Sequence, residues 1–203
     1  LIVSRGLGDV YKRQDYYWMM EFCEKLFEYC AIAVNGKTKA NFGEYEIEFK
    51  APYTRVTMKD SIKKFTGLDI SEKSEEEIRK AAISMGLDIE SSMGKGKIID
   101  EIFGQKCEKN YIQPTFITDY PKEMSPLTKE HRSDPNLTER FELIVCGKEI
   151  ANAYSELNDP IDQRARFEAQ LKLSDKGDEE ATKFIDEDFL RSLEYGMPPT
   201  AGM

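Results

Sequence analysis

The spacing of hydrophobic and polar positions changes several times along the chain, and each change marks an element. Met19, Phe22, Cys23, Leu26, Cys30 and Ala33 recur at the spacing of one helix face before Asn35-Gly36. A core-facing helix is therefore predicted over residues 15–34, with both cysteines on its buried stripe. Tyr45, Ile47 and Phe49 alternate with Glu44, Glu46, Glu48 and Lys50, which reads as a half-exposed strand ended by Ala51-Pro52. Thr57-Met58 opens a short helix ending near Gly67. Ser74 and Glu77 form a capping box ahead of the stripe Ile78, Ala81, Ala82 and Met85, which Gly86 stops. A further helix carries Ile98, Ile102, Phe103 and Cys107. The Gly94-Lys95-Gly96-Lys97 run before it lacks the spacing of a phosphate-binding loop and reads as a flexible lead. Phe116-Ile117-Thr118 forms a short strand broken by Pro121, and His131 sits in a polar, exposed setting. Asp159-Pro160 caps a charged helix ending near Gly177, with Arg164 and Arg166 as surface charges, and a last helix covers residues 186–195.

Residues 138–159, TERFELIVCGKEIANAYSELND, depart from this mixture. Phe141, Leu143, Ile144 and Val145 run into a tight turn, and the strand beyond it is unusually polar at alternate positions. A β-hairpin carrying a site is predicted. With Cys146-Gly147 as a two-residue loop, Val145 faces Lys148, Ile144 faces Glu149 and Glu142 faces Ala151. Glu142 and Glu149 then share one face as diagonal neighbours, roughly 7–8 Å apart at Cβ, and can converge on a hard cation. Mg²⁺ on a nucleotide phosphate is the natural candidate, because that ion favours one or two carboxylates plus phosphate oxygens. Asn152, Tyr154 and Glu156 fall at i, i+2 and i+4 and line one face of the second strand. An amide, a ring and a carboxylate in a row suit a ligand with a polar head, an apolar stem and a cationic end.

Composition narrows the partners. The chain has 203 residues, 40% of them hydrophobic, enough for one domain with a core. Its net charge of −9 provides no overall basic field for nucleic acid, so any such contact would need a local patch. Cys23, Cys30, Cys107 and Cys146 show no metal-ligand spacing, and the single histidine cannot complete a Cys/His site. No apolar run is long enough for a membrane span, and no signal peptide is recognisable. A soluble protein in a reducing, intracellular setting is expected.

The hairpin resembles the lysine- and ATP-binding hairpin of class II lysyl-tRNA synthetases. The likeness extends through Glu194-Tyr195-Gly196-Met197-Pro198-Pro199-Thr200-Ala201-Gly202, the approach to that family's third motif. Earlier matches are Pro114-Thr115-Phe116-Ile117-Thr118-Asp119-Tyr120-Pro121 and Ser125-Pro126-Leu127. Residues 1–14, LIVSRGLGDVYKRQ, fall outside the likeness and read as an adapter-derived segment.

The resemblance implies an α+β fold, the class II synthetase catalytic core, with an antiparallel sheet flanked by helices and a helical insertion at about residues 67–113. It implies a lysine–tRNA ligase that makes lysyl-adenylate from lysine and MgATP and charges tRNA(Lys), cytoplasmic and homodimeric at full length. Carried over residue by residue, Glu142 and Glu149 would hold Mg²⁺ on ATP, Ile150 would lie beside the adenine nucleotide, and Asn152, Tyr154 and Glu156 would form the lysine pocket. The family's second and third motifs would fall before Asp15 and after Met203, so no catalytic arginine is expected here and residues 15–203 alone should be inactive. Two alternatives stand beside this reading: a paralogue that attaches a lysyl-type group to an elongation factor, and a non-catalytic synthetase-like binding protein. A single pocket also requires Glu149 on the same face as Asn152, Tyr154 and Glu156, which strict alternation forbids. A β-bulge or sharp twist near Ile150-Ala151 is therefore predicted.

Overall fold

A computed structural model describes residues 10–12, 14–175 and 184–203. Most of the expected adapter-derived segment lies outside the described residues, as does Gly177. In chain order the elements are β1 (Val10–Lys12), α1 (Tyr16–Asn35), β2 (Lys39–Phe42), β3 (Tyr45–Glu48), β4 (Thr54–Thr57), α2 (Met58–Thr66), α3 (Glu75–Ser84), α4 (Lys95–Lys106), β5 (Thr115–Pro121), β6 (Glu130–His131), β7 (Asp134–Val145), β8 (Lys148–Ser155), α5 (Pro160–Ser174), α6 (Glu187–Glu194) and β9 (Thr200–Gly202). Seven strands form one sheet in the order β1-β9-β8-β7-β5-β4, with β6 on the flank of β7. All pairs are antiparallel except β4 with β5. The fold is α+β.

The helix boundaries follow local chemistry. Asp15 accepts the Trp18 amide at the start of α1, and Gly36 at φ 71 closes it, a backbone shape that glycine adopts without steric penalty. Ser74 and Glu77 make the expected capping box on α3, and Asp159 caps α5 ahead of Pro160.

The two sheet faces bury two separate cores. On one, Tyr16, Met19, Met20 and Cys23 of α1 pack on Phe116, Phe141, Leu143 and Ala153. On the other, Met58, Ile62, Ile78, Ile98, Ile102 and Phe103 of α2, α3 and α4 pack on Ile117, Tyr120 and Ile144. Phe141 and Leu143 thus face α1 while Glu142 and Ile144 face the helical layer, the period-two alternation of a strand.

Several expectations change. Cys30 is exposed, and Glu24 occupies the buried stripe instead, its carboxylate accepting the Tyr53 amide at 2.9 Å. Gly94 is the N-cap of α4 and Gly96 lies in its first turn. Gly96 packs so closely on Glu123 and Met124 that a Cβ would sit 3.0 Å from each, so this run is a packed helix start and not a flexible lead. His131 keeps only 11% of its side chain exposed, edge-on to the Tyr16 ring and 3.8 Å from Asp119. Arg166 is buried, donating to the carbonyls of Ser125 at 3.1 Å and Thr128 at 2.6 Å, whereas Arg164 does lie on the surface, paired with Glu187.

Candidate active site

The site face is set by two irregularities in the sheet. The hairpin turn is Cys146-Gly147, at φ 52 and φ 64, the left-handed pair that a tight two-residue turn requires. Its amides donate to Ile112 O and Tyr111 O, which anchors the turn on the segment ahead of β5. From there Val145 pairs with Lys148 and Ile144 with Glu149, as predicted, but Leu143 pairs with Ala151. Ile150 is the extra residue of a bulge. Glu142 consequently faces Asn152, not Ala151 as strict alternation had it, and Arg140 faces Tyr154.

The bulge does what the sequence demanded of it. Cross-strand partners project to the same face, so Glu149, Glu142, Asn152, Arg140 and Tyr154 all stand on the side of the helical layer. Without the extra residue, Ala151 and Ala153 would occupy that face. A second bulge in β5, where Asp119 adopts φ 62, shifts the register between Thr118 and Tyr120. It turns the Tyr120 ring to the same side, opposite Thr138.

Glu142 and Glu149 line a cavity of about 650 Å³ between the sheet and α4, together with Arg140, Lys97, Asp100 and Glu108. Burial pushes the Glu142 carboxyl above the usual carboxylate range and Glu149 adds to the rise, against the opposing pull of Arg140. Asp100 and Glu108 are also raised, first by burial and then by the charge of Glu142. This crowd of carboxylates favours a cation in the cavity. Among the described residues no cluster of three or more acidic, histidine or cysteine side chains is close enough to enclose a metal. Two carboxylates with phosphate oxygens to complete the shell are the arrangement Mg²⁺ prefers, so Glu142 and Glu149 fit that ion on a nucleotide better than an all-protein cage. Ile150, at the bulge, is 39% exposed.

Glu156 lies just past the end of β8, bridged to Thr128, and lines a different cavity, of about 590 Å³, with Asp15, Lys129, Arg132, Glu139 and Thr200. Glu142 and Glu149 thus line one cavity and Glu156 the other, while Asn152 and Tyr154 line neither of the two. The register puts Arg140 and Tyr154 between Glu142 and Glu156. Burial alone raises the Glu156 carboxyl to about 7, and among the described residues no cation pairs with it. A half-buried acid in that condition is suited to an incoming ammonium group. Tyr154 stands next to it, its hydroxyl made harder to ionise by burial and by Glu156.

Arg140 escaped sequence reasoning, although its place two residues before Glu142 on one strand put both on one face. Its Nη2 donates to Glu142 Oε1 at 2.6 Å, its Nη1 to Ser125 Oγ at 3.0 Å and its Nε to Asn152 Oδ1 at 3.2 Å. The guanidinium lies 4.6 Å from the centroid of the Tyr120 ring. Asp100 of α4 and Glu108 just after it were missed because only packing on the sheet brings them to the hairpin, and Lys97 was set aside with the rest of the 94–97 run.

Residues 10–203 match the family model described as tRNA synthetases class II (D, K and N). The chain is 70% identical over 190 residues to a lysine–tRNA ligase of Christiangramia forsetii, covering 94% of this chain and 33% of that protein. It is 66% identical to a lysine–tRNA ligase of Porphyromonas gingivalis, with the same coverage of 94% and 33%. It is 61% identical to one of Azobacteroides pseudotrichonymphae, over 94% of this chain and 38% of the relative. The chain therefore spans about a third of the length of the curated relatives it matches.

Proposed function

We propose, on the premise that this chain belongs to the class II tRNA synthetase family, that it supplies the amino-acid and nucleotide hairpin of a lysine–tRNA ligase. The full-length protein would use lysine, MgATP and tRNA(Lys). Similarity to ligases named for lysine supports the substrate, and the chemistry of the site face agrees with it. Glu156 supplies negative charge for the side-chain ammonium, Tyr154 covers the aliphatic stem, and Asn152 hydrogen-bonds the polar head. Glu142 and Glu149 would hold Mg²⁺ on the ATP phosphates, where the ion neutralises phosphate charge. Ile150 would border the adenine nucleotide. Homodimer formation and a cytoplasmic setting belong to the same proposal. Among the described residues no helix is long and apolar enough to cross a membrane.

The observation that carries this reading is the bulge at Ile150, which brings Asn152 and Tyr154 onto the face of Glu142 and Glu149. An amino acid and a nucleotide can then be held on one side of one hairpin, which is the proximity an adenylate-forming reaction needs. The test is lysine-dependent exchange of pyrophosphate into ATP by a full-length ligase bearing this chain. Exchange with lysine and not with aspartate or asparagine is expected. Equal exchange with all three, or none with lysine, overturns the reading.

A further inference from the structure

We infer that Arg140 is a positioning residue that sets the polarity of the Asn152 amide and the orientation of the Glu142 carboxylate together, so that one guanidinium couples the amino-acid and cation halves of the site. The inference rests on the lysine–tRNA ligase reading above and adds a residue that acts through others.

The argument begins with donor and acceptor inventory. A guanidinium offers only N–H groups, so the atom of Asn152 that faces Arg140 Nε, at 3.2 Å, has to be the carbonyl oxygen Oδ1. The amide NH₂ is thereby turned the other way, 3.5 Å from Glu142 Oε1. Asn152 is thus fixed as a donor toward the site, the role that the carboxylate of an α-amino acid needs and that an ammonium group cannot use. Arg140 Nη2 and Asn152 Nδ2 both address the same oxygen of Glu142, Oε1, which leaves Oε2 outside their network.

The clamp is itself held. Ser125, which accepts Arg140 Nη1 at 3.0 Å, is buried, and its loop is gripped through main-chain carbonyls by Arg166 of α5. On the remaining side the guanidinium lies over Tyr120, which is 1% exposed. A paired charge of this kind adds little net stability, because desolvation offsets its attraction. Three bonds in three fixed directions do restrict how the partners can turn, and that is the property a ligand-orienting shell requires.

The test uses a full-length lysine–tRNA ligase bearing this chain, with lysine and its decarboxylated analogue 1,5-diaminopentane as probes. In Arg140→Met the KM for lysine and the Mg²⁺ concentration for half-maximal exchange should each rise on the order of tenfold or more, the usual cost of losing a ligand-orienting partner. Inhibition by 1,5-diaminopentane, which lacks the carboxylate that Asn152 addresses, should stay as in the parent. If Arg140→Met does not fold, as read by its circular dichroism melt, Arg140→Lys is measured in the same way. One ammonium cannot reproduce the three-way fork, so the same two constants should rise by a smaller factor. Unchanged constants in whichever variant folds overturn the inference, and so does an equal weakening of lysine and 1,5-diaminopentane, which would mark a general structural role. Absence of lysine-dependent exchange in the parent protein instead overturns the ligase reading, and the inference falls with it.

Discussion

Asn152 lies directly across the β7–β8 ladder from Glu142, and it does so only because Ile150 is left unpaired between Glu149 and Ala151. One inserted residue converts a face of alanines into a face of polar side chains. Deleting Ile150 should therefore turn Asn152 and Tyr154 toward α1 and displace Ala153 from a fully buried position. Loss of more than about 4 kcal/mol of stability, from polar groups driven into a core, is expected in a urea titration. Ile150→Thr, which keeps the residue count and a β-branched side chain, should change stability by less than about 1 kcal/mol.

The turn makes a second demand. Gly147 is at φ 64, and a Cβ there would lie 2.8 Å from Lys109 Cα, a backbone atom that cannot step aside. Gly147→Ala should cost about 2–3 kcal/mol, from left-handed strain plus displacement of the segment that receives the Gly147 amide. A urea midpoint equal to the parent's would contradict this.

Phe141 is fully buried and meets the Phe116 ring edge-on at 4.9 Å between centroids. Phe141→Ala should lower stability by about 3–5 kcal/mol by leaving a cavity under α1. The carboxylates on the opposite face should keep their order of Mg²⁺ dependence wherever the variant remains folded, which a Mg²⁺ titration of exchange checks.

Glu156 makes stability depend on pH in a definite direction. Its carboxyl is raised in the folded protein to about 7 from an ordinary 4.5, so the folded state holds the proton more tightly than the unfolded one. The corresponding stability is fully present below about pH 4.5 and is lost as pH rises through about 7, by linkage. Its size is on the order of 2 kcal/mol after discounting for partial exposure. Glu156→Gln should remove that part of the decline, visible as a flatter thermal midpoint between pH 5 and pH 8 by comparison with the parent.

Much of this was legible in the sequence because it is written locally. The α3 capping box, the Asp159-Pro160 start of α5 and the Cys146-Gly147 turn each need only neighbours to define them. The bulge was legible for a different reason: Glu149 is out of phase with Asn152 and Tyr154, and only an extra residue reconciles them. What was not legible depends on packing across the chain. The strands β2, β4 and β9 are short, and each is defined by its partner more than by its own pattern. Arg166 was assigned to the surface because a charged helix gives no sign that Ser125 and Thr128 will present carbonyls to it. Arg140 was overlooked because its role arises from three partners, two of them well separated from it in sequence.

The central claim is that the Glu156 carboxylate receives the ammonium group of a lysine held along this hairpin. Calorimetric titration of lysine into a full-length ligase bearing this chain, parent against Glu156→Gln, between pH 6 and pH 8, tests it most directly. The account predicts that parent affinity falls by up to about tenfold per pH unit below 7, as the carboxyl takes up a proton and loses its charge. It also predicts that Glu156→Gln binds lysine far more weakly and with no such pH dependence over that range. Parent-like affinity in Glu156→Gln would contradict it.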